Sequence, residues 1–334
     1  MIDSETRGRP PARSTTRWPS RTRMIVGLGD AYRRVLAAFL CALGPRAAYA
    51  VMAALARALY RLAEPLRRHS EAQCRAALGD TRTPGAIADM AAQAFVHRAW
   101  NLADLMLAGR FIRAGSCHRY GGAIPEPYLG LLLRAQRERK PVILLTAYYG
   151  PYDLLPLFLG YNGIQAGAIY RPHGNPRYDA YRNAVRGASG CELVPAERAI
   201  GRLPEILENG GAAAILADHE NARRGVPVRF LGLPTIASRA VGLLAEHYGA
   251  IVAVAGVRRR NKAFSFEFVV SDIFDPTAWR DETDAVAYIT HRYVAAMEKI
   301  VLGDPAQYLW AHRRWNMESA GQAADGPHAA ATKA

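Results

Sequence analysis

The segment Pro141–Ala147, with the sequence PVILLTA, decides the fold of this chain. It is a continuous apolar run with the length of a buried β-strand. The next turn, Thr146–Asp153 (TAYYGPYD), contains a glycine, which permits a tight bend, and a proline, which suits the first position of a helix. We therefore predict a buried strand, a tight turn and a helix in direct succession.

The same alternation continues downstream. Strand-like apolar segments lie at 166–171, 191–195, 212–218, 226–231, 251–258 and 264–273, and helical segments lie at 151–159, 176–188, 198–208, 238–248 and 284–302. Strands that alternate with helices form a mostly parallel sheet with helices on its faces. The predicted fold class is therefore α/β, a three-layer α/β/α sandwich with a mostly parallel central sheet.

Helical patterns dominate upstream of the sheet, over residues 86–112 and 126–138 and before them. Residues 35–44 (VLAAFLCALG) are apolar but only about half as long as a membrane span. Farther on, leucines and charged residues recur at helical spacing on roughly opposite faces: Leu55, Leu59, Leu62 and Leu66 against Arg57, Arg61, Glu64 and Arg68. Such a helix either lies in a membrane interface or packs on the core with one solvated face.

These patterns predict four regions. Residues 1–24 form a disordered basic tail, rich in Arg, Pro, Ser and Thr. Residues 25–139 form a helical, membrane-associated region. Residues 140–316 form the α/β core, and residues 317–334 form a second disordered tail.

Charge and cysteine content narrow the class of partner. The formal net charge is +14, and nearly all cationic side chains are arginines, which bind phosphate and carboxylate groups with paired hydrogen bonds. Nucleic acid, anionic lipid headgroups or a phosphorylated substrate all fit this charge. The four cysteines contain no CxxC pair, which argues against a zinc site and a disulfide-stapled secreted domain. A reducing, cytoplasm-facing environment fits best.

Polar residues follow the predicted strands, at the edge where α/β sheets bind ligands. Asp153 lies in the first turn of the helix after the first strand. Arg171 follows the second strand, where it either binds an anion or pairs with a buried carboxylate. Asp218 and His219 follow the fourth strand, and titratable residues in a row at a strand end suggest a functional site. We predict no metal there, because adjacent residues rarely face one ion.

A final aromatic and basic cluster, QYLWAHRRW, lies at 307–315. This cluster has two possible roles. It binds a ligand, by stacking on bases or covering a headgroup, or it closes the edge of the domain. We predict no nucleic-acid partner, because no nucleic-acid recognition motif accompanies the basic patches.

Taken in order, these loops resemble the bacterial lipid A biosynthesis acyltransferase family of the lysophospholipid acyltransferase superfamily. The resemblance covers most of residues 67–315. It rests on the shared order and spacing of several blocks: TAYYGPYD, AIYRPHGNP, LADHE, VPVRFLGLPTIASRAVGLLAEHYGAIV and QYLWAHRRW.

Members of the family carry a His-x4-Asp/Glu motif in the first loop, where the histidine is the general base and the carboxylate orients it. Here Asp153 matches the carboxylate, but Tyr148 occupies the histidine position. A tyrosine with a pKa near 10 is only about 0.1% ionised at neutral pH, and a base poised near pH 7 needs a shift of roughly 4 kcal/mol. Arg171 could supply part of that shift. Alternatively, His219 or His173 is the base and Tyr148 donates a hydrogen bond.

The resemblance also implies the remaining assignments. Arg171 stabilises the oxyanion or holds a phosphate, and Asp218 holds Arg171 or positions the acceptor. Arg223 and Arg224 face the anionic headgroup, and Gly150 belongs to the substrate-binding loop.

No cofactor is implied. The partners are a membrane lipid acceptor, such as a lipid A precursor, an acyl-carrier-protein or acyl-coenzyme A donor, and the anionic membrane surface. The expected location is the inner membrane, held peripherally or by an N-terminal anchor, with the active site facing the cytoplasm. The alternative to an acyltransferase is a catalytically inactive lipid-binding protein.

Overall fold

A computed structural model describes residues 20–219, 225–311 and 315 of the chain. Within them the helices are α1 (Ser20–Leu62), α2 (Glu64–Leu78), α3 (Pro84–Phe111), α4 (Tyr128–Arg137), α5 (Leu155–Tyr161), α6 (Pro176–Arg186), α7 (Ala199–Glu208), α8 (Ala240–Tyr248) and α9 (Ala285–Gly303). The strands are β1 (Val142–Thr146), β2 (Ala166–Tyr170), β3 (Glu192–Pro195), β4 (Ala212–Leu216), β5 (Gly225–Phe230), β6 (Leu233–Ser238), β7 (Ile251–Arg259) and β8 (Phe266–Phe274).

The central sheet has the strand order β3-β2-β4-β1-β7-β8. All neighbouring pairs are parallel except β7 and β8, which are antiparallel. In the register of β1 and β4, Thr146 is opposite Leu216, so both strands end at the same level. The residues that follow β1 and β4 therefore lie side by side at the carboxyl edge of the sheet.

Side chains alternate between the two faces of the sheet, and helices cover both. From β1, Ile143 and Leu145 join the cluster that includes buried residues of α7, α8 and α9. Val142 and Leu144 join the opposite cluster, with buried residues of α1, α4 and α5. The predicted three-layer α/β fold with a mostly parallel sheet is confirmed.

One strand was missed. β6 pairs with β5 as an antiparallel hairpin outside the main sheet, and Phe230 is opposite Leu233. The two turn residues, Leu231 and Gly232, both have positive φ angles, 51° and 77°. A two-residue hairpin turn needs this geometry, but Leu-Gly lacks the Asn or Asp that usually signals it. Pro234 within β6 also hides the strand pattern.

Helix α1 begins at Ser20 and so takes in residues 20–24, which we had predicted as part of the basic tail. Arg21, Arg23 and Met24 are good helix formers, and they extend the helix toward the N-terminus. The helix breaks at Gly44, whose φ of 75° and ψ of 165° are not helical.

Residues 31–62 of α1 contain an 18-residue window with a mean hydropathy of 1.7, and this segment is long and apolar enough to cross a membrane. The same test is passed by core helices of soluble proteins, but only 22% of this window is buried. Large apolar side chains form an exposed stripe at helical spacing on both sides of the break: Tyr32, Val35, Phe39, Leu43, Val51, Leu55, Leu59 and Leu62. We call this set the apolar stripe of α1.

A buried ionic cluster fastens the helical region to the sheet. Arg259, the last residue of β7, forms an ion pair with Asp104 of α3, and both side chains are fully buried. The Arg259 guanidinium also donates to Asn101 Oδ1 at 2.7 Å and to Tyr49 Oη of α1 at 3.0 Å. Burial and the nearby Arg259 lower the pKa of His97 to about 3, so this imidazole is neutral.

We expect Asp104→Ala to lower the free energy of unfolding by about 3–5 kcal/mol, because it leaves the buried Arg259 charge uncompensated. Urea titration followed by circular dichroism measures the change. Asp281→Ala removes one exposed carboxylate and serves as the control, with an expected change below about 0.5 kcal/mol. Equal effects of the two substitutions would refute a structural role for the cluster.

Candidate active site

The loop after β1 and the loop after β4 meet at the carboxyl edge of the sheet. The backbone N–H of Tyr148 donates to Asp218 Oδ2 at 2.9 Å. The Tyr148 hydroxyl lies 3.4 Å from His219 Nε2, and the two rings are stacked with centroids 5.1 Å apart. The structure thus brings together three residues that we singled out from the sequence: Tyr148, Asp218 and His219.

These three residues have the order carboxylate, imidazole, phenol. Asp218 is fully buried, and its Oδ1 lies 3.8 Å from His219 Nδ1. In the tautomer with the ring proton on Nδ1, toward Asp218, the Nε2 atom of His219 accepts the hydrogen bond from the Tyr148 hydroxyl. About 38% of the His219 side chain is exposed, so the imidazole is accessible to a substrate.

The C-terminal block lies over this site. The N–H of Leu309 donates to the Tyr148 carbonyl at 3.0 Å, and Tyr149 pairs with Tyr308 as an antiparallel bridge. The Tyr308 hydroxyl donates to Asp218 Oδ2 at 3.2 Å. From the sequence we expected this block either to contact a ligand or to close the edge of the domain. Residues 307–309 close the edge of the domain. His312, Arg313 and Arg314 lie outside the described residues.

Gly150 lies in the same loop, at a position that has no room for a side chain. Its φ is +55°, and a Cβ atom there would lie 2.0 Å from the Val257 carbonyl oxygen on β7. Its N–H donates to the Gln307 carbonyl at 2.9 Å. The absence of a side chain therefore lets the loop approach the sheet, whereas a direct contact of Gly150 with substrate stays a prediction.

Asp153 lies at the same edge but faces helix α6. Its carboxylate accepts hydrogen bonds from Arg182, at 3.2 Å, and from Arg186. Within the described part of the chain, these two arginines are its hydrogen-bond partners, and it forms no hydrogen bond with Tyr148 or His219. Sequence reasoning missed both arginines, although their spacing of four residues on one predicted helix was a usable signal.

The environment of Tyr148 keeps its phenol protonated. Burial raises the pKa of the Tyr148 hydroxyl, and the Asp218 carboxylate raises it further. Arg171 acts in the opposite direction without reversing the shift. Arg171 thus acts in the direction that we expected from the sequence, but burial and Asp218 outweigh it, and Tyr148 is suited to donate a hydrogen bond.

A cavity of about 250 Å³ opens beside Tyr148. Asp153, Arg182 and Arg186 line one side of it, and Arg171 and His173 line another. Arg171 is exposed and follows β2 directly, as predicted. His173 turns its Nδ1 to the N–H of Asn175 at 3.0 Å and is also exposed.

A larger groove of about 670 Å³ adjoins this cavity and shares four residues with it: Tyr152, Asp153, His173 and Arg182. It runs between α1 and α3, where its lining is mainly apolar and includes Leu55, Leu59, Phe95 and Leu102. The polar edge of the sheet is thus continuous with an apolar groove, and two of the groove's leucines belong to the apolar stripe of α1.

Some predicted features lie outside what the structure shows. Arg223 and Arg224 fall in the segment 220–224, outside the described residues, and their headgroup contact stays a prediction. Among the residues that are described, no group of three or more His, Cys, Asp or Glu side chains is arranged to hold a metal ion.

Comparison with known families decides the assignment. Residues 129–317, more than half of the chain, match the family described as bacterial lipid A biosynthesis acyltransferase. The chain belongs to this family. Its match begins in α4 and covers the whole sheet, including the loops that carry Tyr148, Asp153 and His219.

Two relatives show the same distant similarity. The lipid A biosynthesis palmitoleoyltransferase of Escherichia coli (strain K12) is 24% identical over 195 residues, as is the lipid A biosynthesis acyltransferase of Shigella flexneri. Each match covers 57% of this chain and 61% of the relative. The chain therefore matches less than two thirds of the length of these relatives.

We expect the Tyr148 phenol to lose its proton only above its usual pH of about 10. Because the folded-state pKa is raised, its contribution to stability is fully present below pH 10 and is lost as the pH rises through the folded-state value. Carbon NMR of protein labelled at tyrosine Cζ, with Tyr148→Phe to assign the signal, measures this titration. A midpoint below pH 9 would contradict it and restore Tyr148 as a candidate base.

Proposed function

We propose that this chain is a membrane-associated O-acyltransferase that moves a fatty acyl group from a thioester to a hydroxyl group of a lipid or glycolipid. Family membership supports acyl transfer in general. The observation that carries the proposal is the line Asp218–His219–Tyr148, whose Tyr148 end lines a cavity that adjoins an apolar groove. A reactive imidazole beside a space for an alkyl chain is what such a transfer needs.

In the proposed step, His219 is the general base. Its Nε2 atom takes the proton from the lipid hydroxyl, whose oxygen attacks the thioester carbonyl carbon. The C–S bond then breaks, and the proton on His219 passes to the leaving sulfur. Asp218, at 3.8 Å from Nδ1, favours the tautomer with a free Nε2 and stabilises the imidazolium that forms.

Tyr148 and Arg171 act on the oxyanion. In the resting site the Tyr148 hydroxyl lies 3.4 Å from Nε2, at the position that the lipid hydroxyl occupies in the reaction. Once displaced, the protonated phenol donates to the negative oxygen of the tetrahedral intermediate. Arg171, exposed at the cavity, adds a positive charge or binds a phosphate of the acceptor.

The groove between α1 and α3 receives the acyl chain in this proposal. Its apolar lining suits a hydrocarbon, and its edge at Leu55 and Leu59 adjoins the exposed apolar stripe. A membrane that covers the stripe would give lipids a direct path into the groove. We further propose the cytoplasmic face of the inner membrane, an acidic acyl-carrier protein or acyl-coenzyme A as donor, and a lipid A precursor as the first acceptor to test.

The second candidate is a lipid-binding protein without catalytic activity. The two residues at the positions of the family motif favour this candidate. Tyr148 is held protonated, and Asp153 is engaged by Arg182 and Arg186. In that case the groove still binds a lipid, but no group accepts the proton of the hydroxyl.

Acyl transfer from radiolabelled acyl thioesters to total membrane lipids tests the proposal. We expect His219→Gln to lower kcat/KM by roughly 100- to 10,000-fold, because the general base is lost. Tyr148→Phe should lower kcat/KM by roughly 100-fold, the usual effect of removing one donor to an oxyanion.

Two further variants make this test specific. His247→Gln on α8 removes a histidine that lines neither the cavity nor the groove and should leave turnover unchanged. Tyr148→His restores the family motif. If wild type and His219→Gln are both inactive and only Tyr148→His transfers acyl chains, the lipid-binding candidate replaces the enzyme.

We expect Leu55→Ser/Leu59→Ser to weaken binding to lipid vesicles by at least roughly 10-fold, because each buried leucine contributes about 1.5–3 kcal/mol. A flotation assay measures the bound fraction. The matched control is Leu243→Ser/Leu302→Ser, since these leucines are 50% and 46% exposed against 47% and 46% for Leu55 and Leu59. Equal losses in both variants would mean that the stripe of α1 is not the membrane-binding face.

A further inference from the structure

A second cavity, of about 420 Å³, lies away from the candidate active site. It is enclosed by α1, α2, α3 and the turn after β7, and it shares no lining residue with the catalytic cavity or the apolar groove. Its arginines on α1, Arg57 and Arg61, are two residues removed from Leu55 and Leu59, which places them on the opposite face of the helix. This cavity therefore is not part of the acyl-chain path.

The walls of this cavity carry an excess of positive charge. Arg57, Arg61, Arg67 and Lys262 line it, against Glu71 and Asp89. Glu71 is already engaged, because it accepts a hydrogen bond from the Tyr60 hydroxyl at 2.9 Å and lies 3.9 Å from Arg67. Among the side chains described, those of residues 31–219, 225–311 and 315, no carboxylate forms an ion pair with Arg57, Arg61 or Lys262.

A buried donor completes the site. His97 is only 4% exposed, lines the cavity, and accepts a hydrogen bond at Nδ1 from Arg259 at 2.7 Å. A guanidinium has only donors, so the neutral His97 ring must carry its proton on Nε2. That N–H has no hydrogen-bond partner among the described residues. The cavity therefore combines three cations that form no ion pair with a described carboxylate and the N–H group of a buried imidazole, a donor set that matches the oxygens of an anion.

The rest of the lining restricts the kind of anion. Tyr60, Val96 and Trp100 form an apolar and aromatic wall next to the charged groups. A small inorganic anion would leave this wall and most of the volume without contacts. An anion that carries an organic body would fill both parts.

We propose that this cavity binds the phosphate group of an organic phosphate ester, at a site separate from the acyl-transfer site. Arg57, Arg61 and Lys262 contact the phosphate oxygens, and the His97 Nε2–H donates to one of them. The organic body of the ligand packs on Tyr60 and Trp100. This proposal does not depend on the proposed function. The phosphate ester is either a soluble molecule or the headgroup of a lipid, and the experiment below distinguishes the two.

Protection of Lys262 from acetylation tests the site on the full chain. The protein has only four lysines, and the exposed Lys140, at the far end of β1, is an internal reference. Lys262 acetylation, measured by peptide mass spectrometry, should fall at least roughly 10-fold in the presence of ligand while Lys140 is unchanged. The probes are glycerol 3-phosphate, vesicles of phosphatidylcholine with phosphatidylglycerol, and, as uncharged or zwitterionic controls, glycerol and pure phosphatidylcholine vesicles.

The source of the phosphate follows from which probe protects. Protection by glycerol 3-phosphate supports a soluble ester, and protection by the phosphatidylglycerol vesicles alone supports a lipid headgroup. Arg57→Gln/Arg61→Gln should weaken the protecting interaction by roughly 100-fold, since each charge-assisted hydrogen bond is strong. Arg82→Gln/Arg137→Gln removes two exposed arginines outside the cavity and should have little effect. The proposal would be overturned if no probe protects Lys262 from acetylation, or if both double variants lose protection to the same extent.

Discussion

The buried guanidinium of Arg259 is the interaction on which the arrangement of this chain depends. It lies where β7 ends, and it binds the carboxylate of Asp104 on α3 and the hydroxyl of Tyr49 on α1. A buried charge without partners is very unfavourable, so the folded state requires α1, α3 and β7 to meet at this point. The apolar groove between α1 and α3 owes its position at the edge of the sheet to this requirement.

The backbone of the same residue extends the constraint to the candidate active site. The Gln307 side chain accepts from the Arg259 N–H at 2.8 Å and donates to the Arg259 carbonyl at 2.9 Å. The Gln307 carbonyl in turn accepts from the Gly150 N–H, next to Tyr148 and Tyr149. The helical region, the C-terminal block and the loop after β1 are thus connected through one chain of hydrogen bonds, and a rigid site needs such support.

The sequence was sufficient to predict the features that depend on local pattern. The apolar run at 141–147 predicts β1, and the alternation after it predicts the parallel sheet. Because neighbouring parallel strands end at the same edge of a sheet, the residues that follow them are predicted to lie together. The structure has Tyr148, Asp218 and His219 together at this edge. The orientation of Asp153 could not be predicted, because it depends on Arg182 and Arg186, which a helix brings from a distant part of the chain. The β5–β6 hairpin was missed because Leu231 and Gly232 are an unusual pair for its turn.

A general base is defined by its position relative to the reacting proton and not by its place in the chain. The sequence resemblance predicts a histidine as the base at the position of Tyr148, and the structure has a different imidazole, that of His219, stacked on this tyrosine from the loop after the neighbouring strand. The side chain of Asp218, one residue earlier, accepts a hydrogen bond from the backbone N–H of Tyr148 and has its other oxygen 3.8 Å from His219 Nδ1. One buried carboxylate therefore positions the phenol and the imidazole together. Asp153, the other carboxylate at this edge, is engaged by arginines of α6, so both acidic groups have hydrogen-bond partners and only Asp218 is placed to act on the imidazole.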